Sequence, residues 1–496
     1  MADISAERLQ GQEPELVPVP PPDRSLPDRV DREAEEKQTE AGKRNRVAVF
    51  FTSRRFWVTI TIIVVIAAII YFPYFFWLKA PELPLKMHVV DKTVPFEDRR
   101  EHRGLFWLLG QNKFVDPAPA KEEQFYDFTK DYTGFYPKED FNAEEHDPSE
   151  YGIPTPEQAE VESLEEAGEA VVAEDPLVTA KKRPKDWSLL FEYELLKQPM
   201  LQDRDVLYIA DTYGVYTGDY WQFPEHDYAH TMHTAKIFGG LEPAEVEAME
   251  WFADQDRLII AEFNCFGSPT ADDLRWRVED LLGVSWTRWI GRYFIDFQDE
   301  KDVPYWLYTI YRRATGREWD VTGSGYVVCR EESADFVILK DGEDVEPLGL
   351  ELVPNNQYST NDVMAGVKPC TFSYWFDILI PHEGTETLAD FHWHVTPQGK
   401  VKLDEHGLPL IFPAVTRTQR GYTAYYMAGD VVDFDKAMGP PKTRLTLFIN
   451  RSYYGQRVKG GQGFFFWHTY YPLVSNILRT ECNRLYGEPE DLYLFD

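Results

Sequence analysis

The sequence predicts an α/β protein with a doubly wound, mostly parallel sheet, a β-rich domain or insertion, and one transmembrane helix ahead of both. Three observations carry this. The middle of the chain alternates apolar runs with amphipathic segments: Asp205 to Asp211 reads DVLYIAD, Leu241 to Gln255 carries Val246, Met249 and Phe252 on one helical face, and Arg257 to Phe263 reads RLIIAEF. Strand, helix and strand joined by short turns are the pattern of a parallel sheet with helical crossovers. Beyond Gly323, short runs of strand composition follow one another with turn residues between them. Finally, Phe56 to Leu78 runs 23 residues without a charged side chain. At about 1.5 Å rise per residue such a helix reaches ~34 Å, enough for a hydrocarbon core of about 30 Å.

Residues 1–55 are polar, with proline at four of the five positions Pro18 to Pro22, and read as a disordered cytoplasmic tail. Lys43, Arg44, Arg46, Arg54 and Arg55 precede the apolar run, whereas only Lys79 and Lys86 follow it closely. The positive-inside bias places the N-terminus in the cytoplasm and the C-terminal domain outside it. Trp57 at one end and Tyr71, Tyr74 and Trp77 at the other suit the two interfaces, and Pro73 can kink or end the helix. A cleaved signal peptide would have a shorter apolar region nearer the start. Residues 56–78 are therefore expected to be a retained single-pass anchor in the cell membrane.

Residues 79–115 are expected to supply a first strand, around Met87 to Val94, and a helix from about Glu97 to Leu109. An aromatic loop around Tyr126 to Tyr136 lies within an acidic linker or loop, residues 116–186. Asp116 to Asp175 alone hold 19 acidic and 3 basic residues, nearly half of the net charge of -33. A solvated segment accounts for this, since no regular Asp/Asn/Gly calcium loop is present. The charge excludes nucleic acid as a partner, because phosphate binding needs clustered Lys and Arg.

Residues 187–322 form the expected α/β core. Its second helix should start at Ser268 to Thr270, with Asp272 and Asp273 at the positive end and Leu274, Val278, Leu281 and Leu282 as the apolar stripe. Residues 323–422 are the β-rich region, with strands at Tyr326–Cys329, Phe336–Leu339, Phe372–Ile380, Leu388–Val395 and Val401–Leu403. Residues 423–496 hold a closing strand, Thr423–Met427, and an amphipathic helix from Pro472 with Val474, Ile477, Leu478, Cys482 and Leu485 on one side. Cys265, Cys329, Cys370 and Cys482 show no close spacing, which excludes a dense disulfide framework and leaves one or two bridges or buried thiols.

Cys265 is the sharpest candidate for chemistry. It falls in a turn between a strand and a helix, where the helix N-terminus can lower a thiol pKa. The surrounding FNCFG lacks the first glycine of a nucleophile elbow. A thiol nucleophile needs a histidine base, and His226, His230 and His233 lie in the loop PEHDYAHTMHT. Three histidines could also hold zinc, but a solvated loop explains them as well, and no metal or other cofactor is expected. Asp211 and Glu262 end the two apolar runs, where carboxylates line the ligand crevice of such sheets or cap the next helix. Arg288 and Arg292, set among rings in WTRWIGRYF, could stack on a ligand or pair with carboxylates.

The segment Asp205 to Gly283, with DVLYIADTYGVY, GGLEPAEVEAMEWFADQDRLIIAEF and NCFGSPT, resembles the class I glutamine amidotransferase-like superfamily of flavodoxin-like domains. TAYYMAGD, Thr423 to Asp430, is similar to the closing strand of such domains. The combination with one span also resembles uncharacterised single-span bacterial membrane proteins. The resemblance implies a cysteine at the elbow, matched by Cys265, and a late His-x-Glu pair, which this sequence does not contain. It therefore implies a member that binds or assembles without catalysis. The expected function is an extracytoplasmic module that binds an envelope protein or polysaccharide. The alternative is a membrane-tethered hydrolase or amidase using Cys265 and a histidine of the 226–233 loop.

Overall fold

The computed structural model describes residues 54–117, 125–138, 141, 187–220, 236–331, 333, 335–357, 362–432, 443–456, 461 and 463–488. Most of the acidic linker, all but the last two residues of the expected tail, and the whole His226, His230 and His233 loop lie outside the described residues. The chain divides into two units, Met1–Phe72 and Pro73–Asp496.

In the first unit the described residues are helical, the opening part of α1 (Arg54–Lys79). Thr59 and Thr61 donate their hydroxyls to the carbonyls of Arg55 and Trp57 at 3.0 and 2.8 Å. This back-bonding hides the polar groups within the helix. The helix is long and apolar enough to cross a membrane; its most apolar stretch is unburied, whereas Trp77, in its last turns, is buried.

The second unit is organised by five parallel strands. These are β1 (Met87–Asp91), β2 (Tyr132–Tyr136), β3 (Val206–Asp211), β4 (Leu258–Ala261) and β5 (Thr423–Met427). Their spatial order is β2-β1-β3-β4-β5. Register pairs Val89 with Tyr208, Leu207 with Ile259 and Tyr425 with Ile260. Val89, Leu207, Ile259 and Ile260 are buried completely, as expected for strands covered on both faces. Between them come α2 (Arg100–Asn112), α3 (Pro243–Ala253) and α4 (Asp272–Leu282). Pro243 opens α3, where Glu242 and Glu245 form a capping box. Asp272 and Asp273 sit in the first turn of α4, and Gly283 ends it in the left-handed conformation.

The β-rich region continues this same sheet. Ile411–Gln419, Glu386–Val395, Val345–Pro354 and Cys370–Phe372 add antiparallel strands beyond β5, and Glu192–Tyr193 caps the β2 edge, giving ten strands in all. A second, four-stranded sheet runs Phe336–Lys340, Gly325–Arg330, Val284–Phe294, Phe376–Pro381. Aromatic rings join the two: Phe376 packs on Phe391, Trp393 and Phe412, and the Tyr326 hydroxyl donates to the Phe372 carbonyl at 2.9 Å. On the second sheet lies α5 (Tyr305–Thr315), with Leu307 and Ile310 in a cluster with Phe294 and Val327. The chain closes with α6 (Pro397–Glu405), α7 (Arg444–Tyr453) and α8 (Tyr471–Tyr486).

Several expectations are corrected. Val401 to Leu403 is helical, part of α6, because Thr396 caps it, accepting from the Gly399 amide at 3.2 Å, and Pro397 opens it. Within the aromatic loop, Tyr132–Tyr136 is a strand whose rings are largely buried against the core. Phe372 to Ile380 is two strands in different sheets, broken at Ser373 to Trp375. The run Trp286 to Phe294 is a strand too, and all four cysteines are buried free thiols.

Candidate functional site

In an open parallel sheet the carboxyl ends of the strands are where polar side chains collect. β1 and β4 end in buried polar clusters here, and β3 in a half-buried one. Asp91, the last residue of β1, meets His102 on α2, Oδ2 to Nδ1 at 2.6 Å, and both side chains are sealed from solvent. The other ring nitrogen faces the Phe128 carbonyl at 2.8 Å. A carbonyl oxygen only accepts, so this nitrogen donates to it. Next along the chain, Lys92 is also buried. Its Nζ donates to the Gly240 carbonyl at 2.6 Å and to the Glu245 carboxylate, and it lies 5.0 Å from the centre of the Phe238 ring. Glu245 accepts in addition from the amides of Leu196 and Glu242, at 3.0 and 2.9 Å. Burial lowers the Lys92 ammonium, against the opposing pull of Glu245.

At the end of β3, Asp211 accepts from the Tyr213 amide at 2.6 Å and so shapes its own turn. Thr212 donates to the Asn264 carbonyl at 2.8 Å, and Thr93 accepts from the Gly214 amide at 2.8 Å. These bonds tie together the turns that follow β1, β3 and β4. Through its bond to the Tyr213 amide, Asp211 holds the turn after β3.

Glu262, directly after β4, is fully buried. It accepts from the Tyr208 hydroxyl and, at 3.2 Å, from the Val432 amide; Tyr208 and Tyr470 share a 3.1 Å hydroxyl contact. Burial pushes the Glu262 acid well above the usual carboxylate range. Asp377, on the second sheet, accepts from the Tyr426 hydroxyl of β5, and burial pushes its acid up to about 8. Cys265 lies among these acids. Its side chain is sealed, its thiol donates to the Glu262 carbonyl at 3.1 Å, and burial followed by the charges of Asp211, Asp377 and Glu262 pushes it well above the ordinary thiol range.

This corrects the nucleophile-elbow reading. A reactive thiol needs a positive surrounding and an open approach, whereas Cys265 has acidic neighbours and none of its surface exposed. The helix whose N-terminus was to activate it starts only at Asp272. Arg288 sits at a bulge in the second sheet with φ of 68° and pairs with Asp272 at 2.7 Å. Arg292 donates to the Asp302 carbonyl at 3.0 Å and to its carboxylate, with its guanidinium 4.9 Å from the Phe294 ring and 5.6 Å from Trp375. Both arginines pair with carboxylates, and Arg292 also stacks among rings, within the protein itself. Among the described residues no group of three or more His, Cys, Asp or Glu is arranged to hold a metal.

The buried cluster contains residues that the sequence reading passed over: Lys92, His102, Glu245, Asp377, Tyr208, Tyr426 and Tyr470. One signal was available for the first of them. Asp91 and Lys92 directly follow the apolar run MHVV, where charge marks a strand's carboxyl end.

No family model matches the chain, and no curated protein matches it. Among solved structures, a putative ThuA-like protein from Bacteroides uniformis is 12% identical, covers 74% of this chain and 91% of its own, and superposes with a TM-score of 0.28. A putative ThuA-like protein from Parabacteroides merdae is 7% identical over 70% of this chain and 79% of its own, with a TM-score of 0.28. A β-galactosidase from Rahnella sp. R3 is 12% identical over 55% of this chain and 26% of its own, with a TM-score of 0.21. Likenesses of this size establish neither fold nor function for this chain.

Proposed function

We propose that the protein is a membrane-anchored, extracytoplasmic binding or assembly module of the cell envelope, without catalysis of its own. Its core is read as a flavodoxin-like, amidotransferase-like sheet. The order β2-β1-β3-β4-β5 supports that reading, since it is the 2-1-3-4-5 order of flavodoxin-like doubly wound folds. The apolar, exposed helix supports the anchor, and the basic residues before it support a cytoplasmic N-terminus.

The observation that carries the non-catalytic reading is the state of Cys265. A thiol with no exposed surface, held neutral among Asp211, Asp377 and Glu262, does not attack a substrate. The hydrolase alternative needs that thiol as its nucleophile. Envelope protein and envelope polysaccharide are the partner classes that fit an outer domain of this kind.

Thiol labelling tests the reading. The folded full chain, treated at neutral pH with a charged maleimide, should leave Cys265 unmodified until denaturant is added. Rapid stoichiometric modification of Cys265 in the folded protein would overturn it.

A further inference from the structure

Among the described residues of the second unit, helix α7 and the end of α1 each expose three large apolar or aromatic side chains. The inner face of α7 is docked. Leu447 packs on the main core, and Arg451 donates to the Trp467 carbonyl at 3.2 Å with its guanidinium 5.4 Å from the Tyr471 ring. Its outer face carries Phe448, Ile449 and Tyr453, which are 69%, 52% and 78% exposed. Three large apolar or aromatic side chains on one exposed stripe of a ten-residue helix make a contact surface.

Two further observations say what covers it. The first is position. Thr443 caps the helix, accepting from the Leu445 amide at 3.2 Å, and its carbonyl accepts from the Gln111 side chain at 3.4 Å. The Gln111 carbonyl in turn accepts from the indole of Trp77, in the last turns of α1, at 3.1 Å. In the same turns Tyr74, Phe75 and Leu78 are exposed. The start of α7 is therefore one residue removed from the end of the apolar helix. The second observation is charge. Lys442 to Lys459 holds no acidic residue and, besides the docked Arg451, four basic ones, in a chain of net charge -33. A basic, aromatic amphipathic stretch fits an anionic lipid surface, with apolar side chains in the acyl boundary and cations at the headgroups.

We infer that α7 is an interfacial helix that lays Phe448, Ile449 and Tyr453 into the anionic leaflet in which α1 ends. The inference rests on the membrane-anchor reading and adds a second contact to it. One helix tethers the outer domain, and a surface helix fixes its height and tilt on the bilayer.

Spin-label accessibility in the full-length protein tests this. Ile449→Cys, Trp276→Cys and Ile66→Cys are labelled singly and reconstituted in vesicles of phosphatidylcholine and phosphatidylglycerol, with unlabelled wild type as the thiol control. Trp276 is 62% exposed on α4 and reports water. Ile66 reports the anchor. The label at 449 should collide with oxygen several-fold more, relative to a water-soluble nickel chelate, than the label at 276. Replacing the anionic lipid by phosphatidylcholine should lower that ratio at 449 and leave it unchanged at 66. A label at 449 as open to nickel as that at 276, with 66 still in the bilayer, overturns the interfacial helix and leaves the anchor intact. A label at 449 shielded from both reagents overturns it in favour of a second copy or a protein partner. A label at 66 open to nickel overturns the anchor reading and the inference with it.

Discussion

Asp377 shows what burial does to single groups in this core. Its ordinary carboxyl value is near 3.8, and in the fold it is pushed up to about 8. The folded protein therefore keeps a proton that the unfolded chain loses above pH 4. Where the folded state binds more protons, stability falls as pH rises. The Asp377 contribution is fully present below about pH 4 and is lost progressively as pH rises towards 8. Asp377→Asn keeps the shape without the proton. Denaturant unfolding should show the wild type losing stability across that window relative to Asp377→Asn, with the gap closing at the acid end. A pH-independent difference between the two would show that Asp377 is ionised in the fold. Glu262 shifts in the same direction. Lys92 shifts the opposite way, its ammonium lowered by burial against the pull of Glu245.

At the scale of elements, much was legible where apolar period and terminal chemistry agreed. β3, β4, β5, α3 and α8 lie where the runs DVLYIAD, RLIIAEF and TAYYM, the Pro243 start and the stripe from Val474 to Cys482 placed them. The failures share a physical cause. Val345–Pro354 and Ile411–Gln419 contain Pro347, Gly349 and Pro413, which read as breakers, yet bulges in their pairing absorb them. In Trp286 to Phe294, the Trp286, Trp289 and Tyr293 rings pack in the main core and Phe294 in the cluster under α5. In the candidate site, Asp211 and Glu262 were singled out because they lie at strand ends, and Cys265 because it falls in the turn after β4. Asp377, Tyr426 and Tyr470 were not, because they come from distant stretches that only the folded sheet brings together.

The packing of α7 also has a test at this scale. Gly463 lies against the Tyr454 ring, and a Cβ there would come within 1.9 Å of it. Gly463→Val should force α7 off the C-terminal helices. That predicts a loss of about 1–3 kcal/mol, as overpacking typically costs, with faster proteolysis around Tyr453. Unchanged stability and cleavage would show that α7 is not docked there.

At the scale of the whole molecule, two features set the account. One is the helix from Arg54 to Lys79, long and apolar enough to cross a membrane. The other is a sheet at whose carboxyl edge, among the described residues, acids, a lysine, a histidine and tyrosines are buried. An enzyme of this architecture would keep that edge open for substrate. On the proposed reading as a tethered binding module, recognition falls to the outer surfaces. The most direct test is capture of envelope material by the detergent-solubilised full chain, with wild type and Cys265→Ala compared. The account predicts that both retain the same protein or polysaccharide in equal yield and leave it chemically unchanged. Hydrolysis of that material by the wild type, abolished in Cys265→Ala, would contradict it.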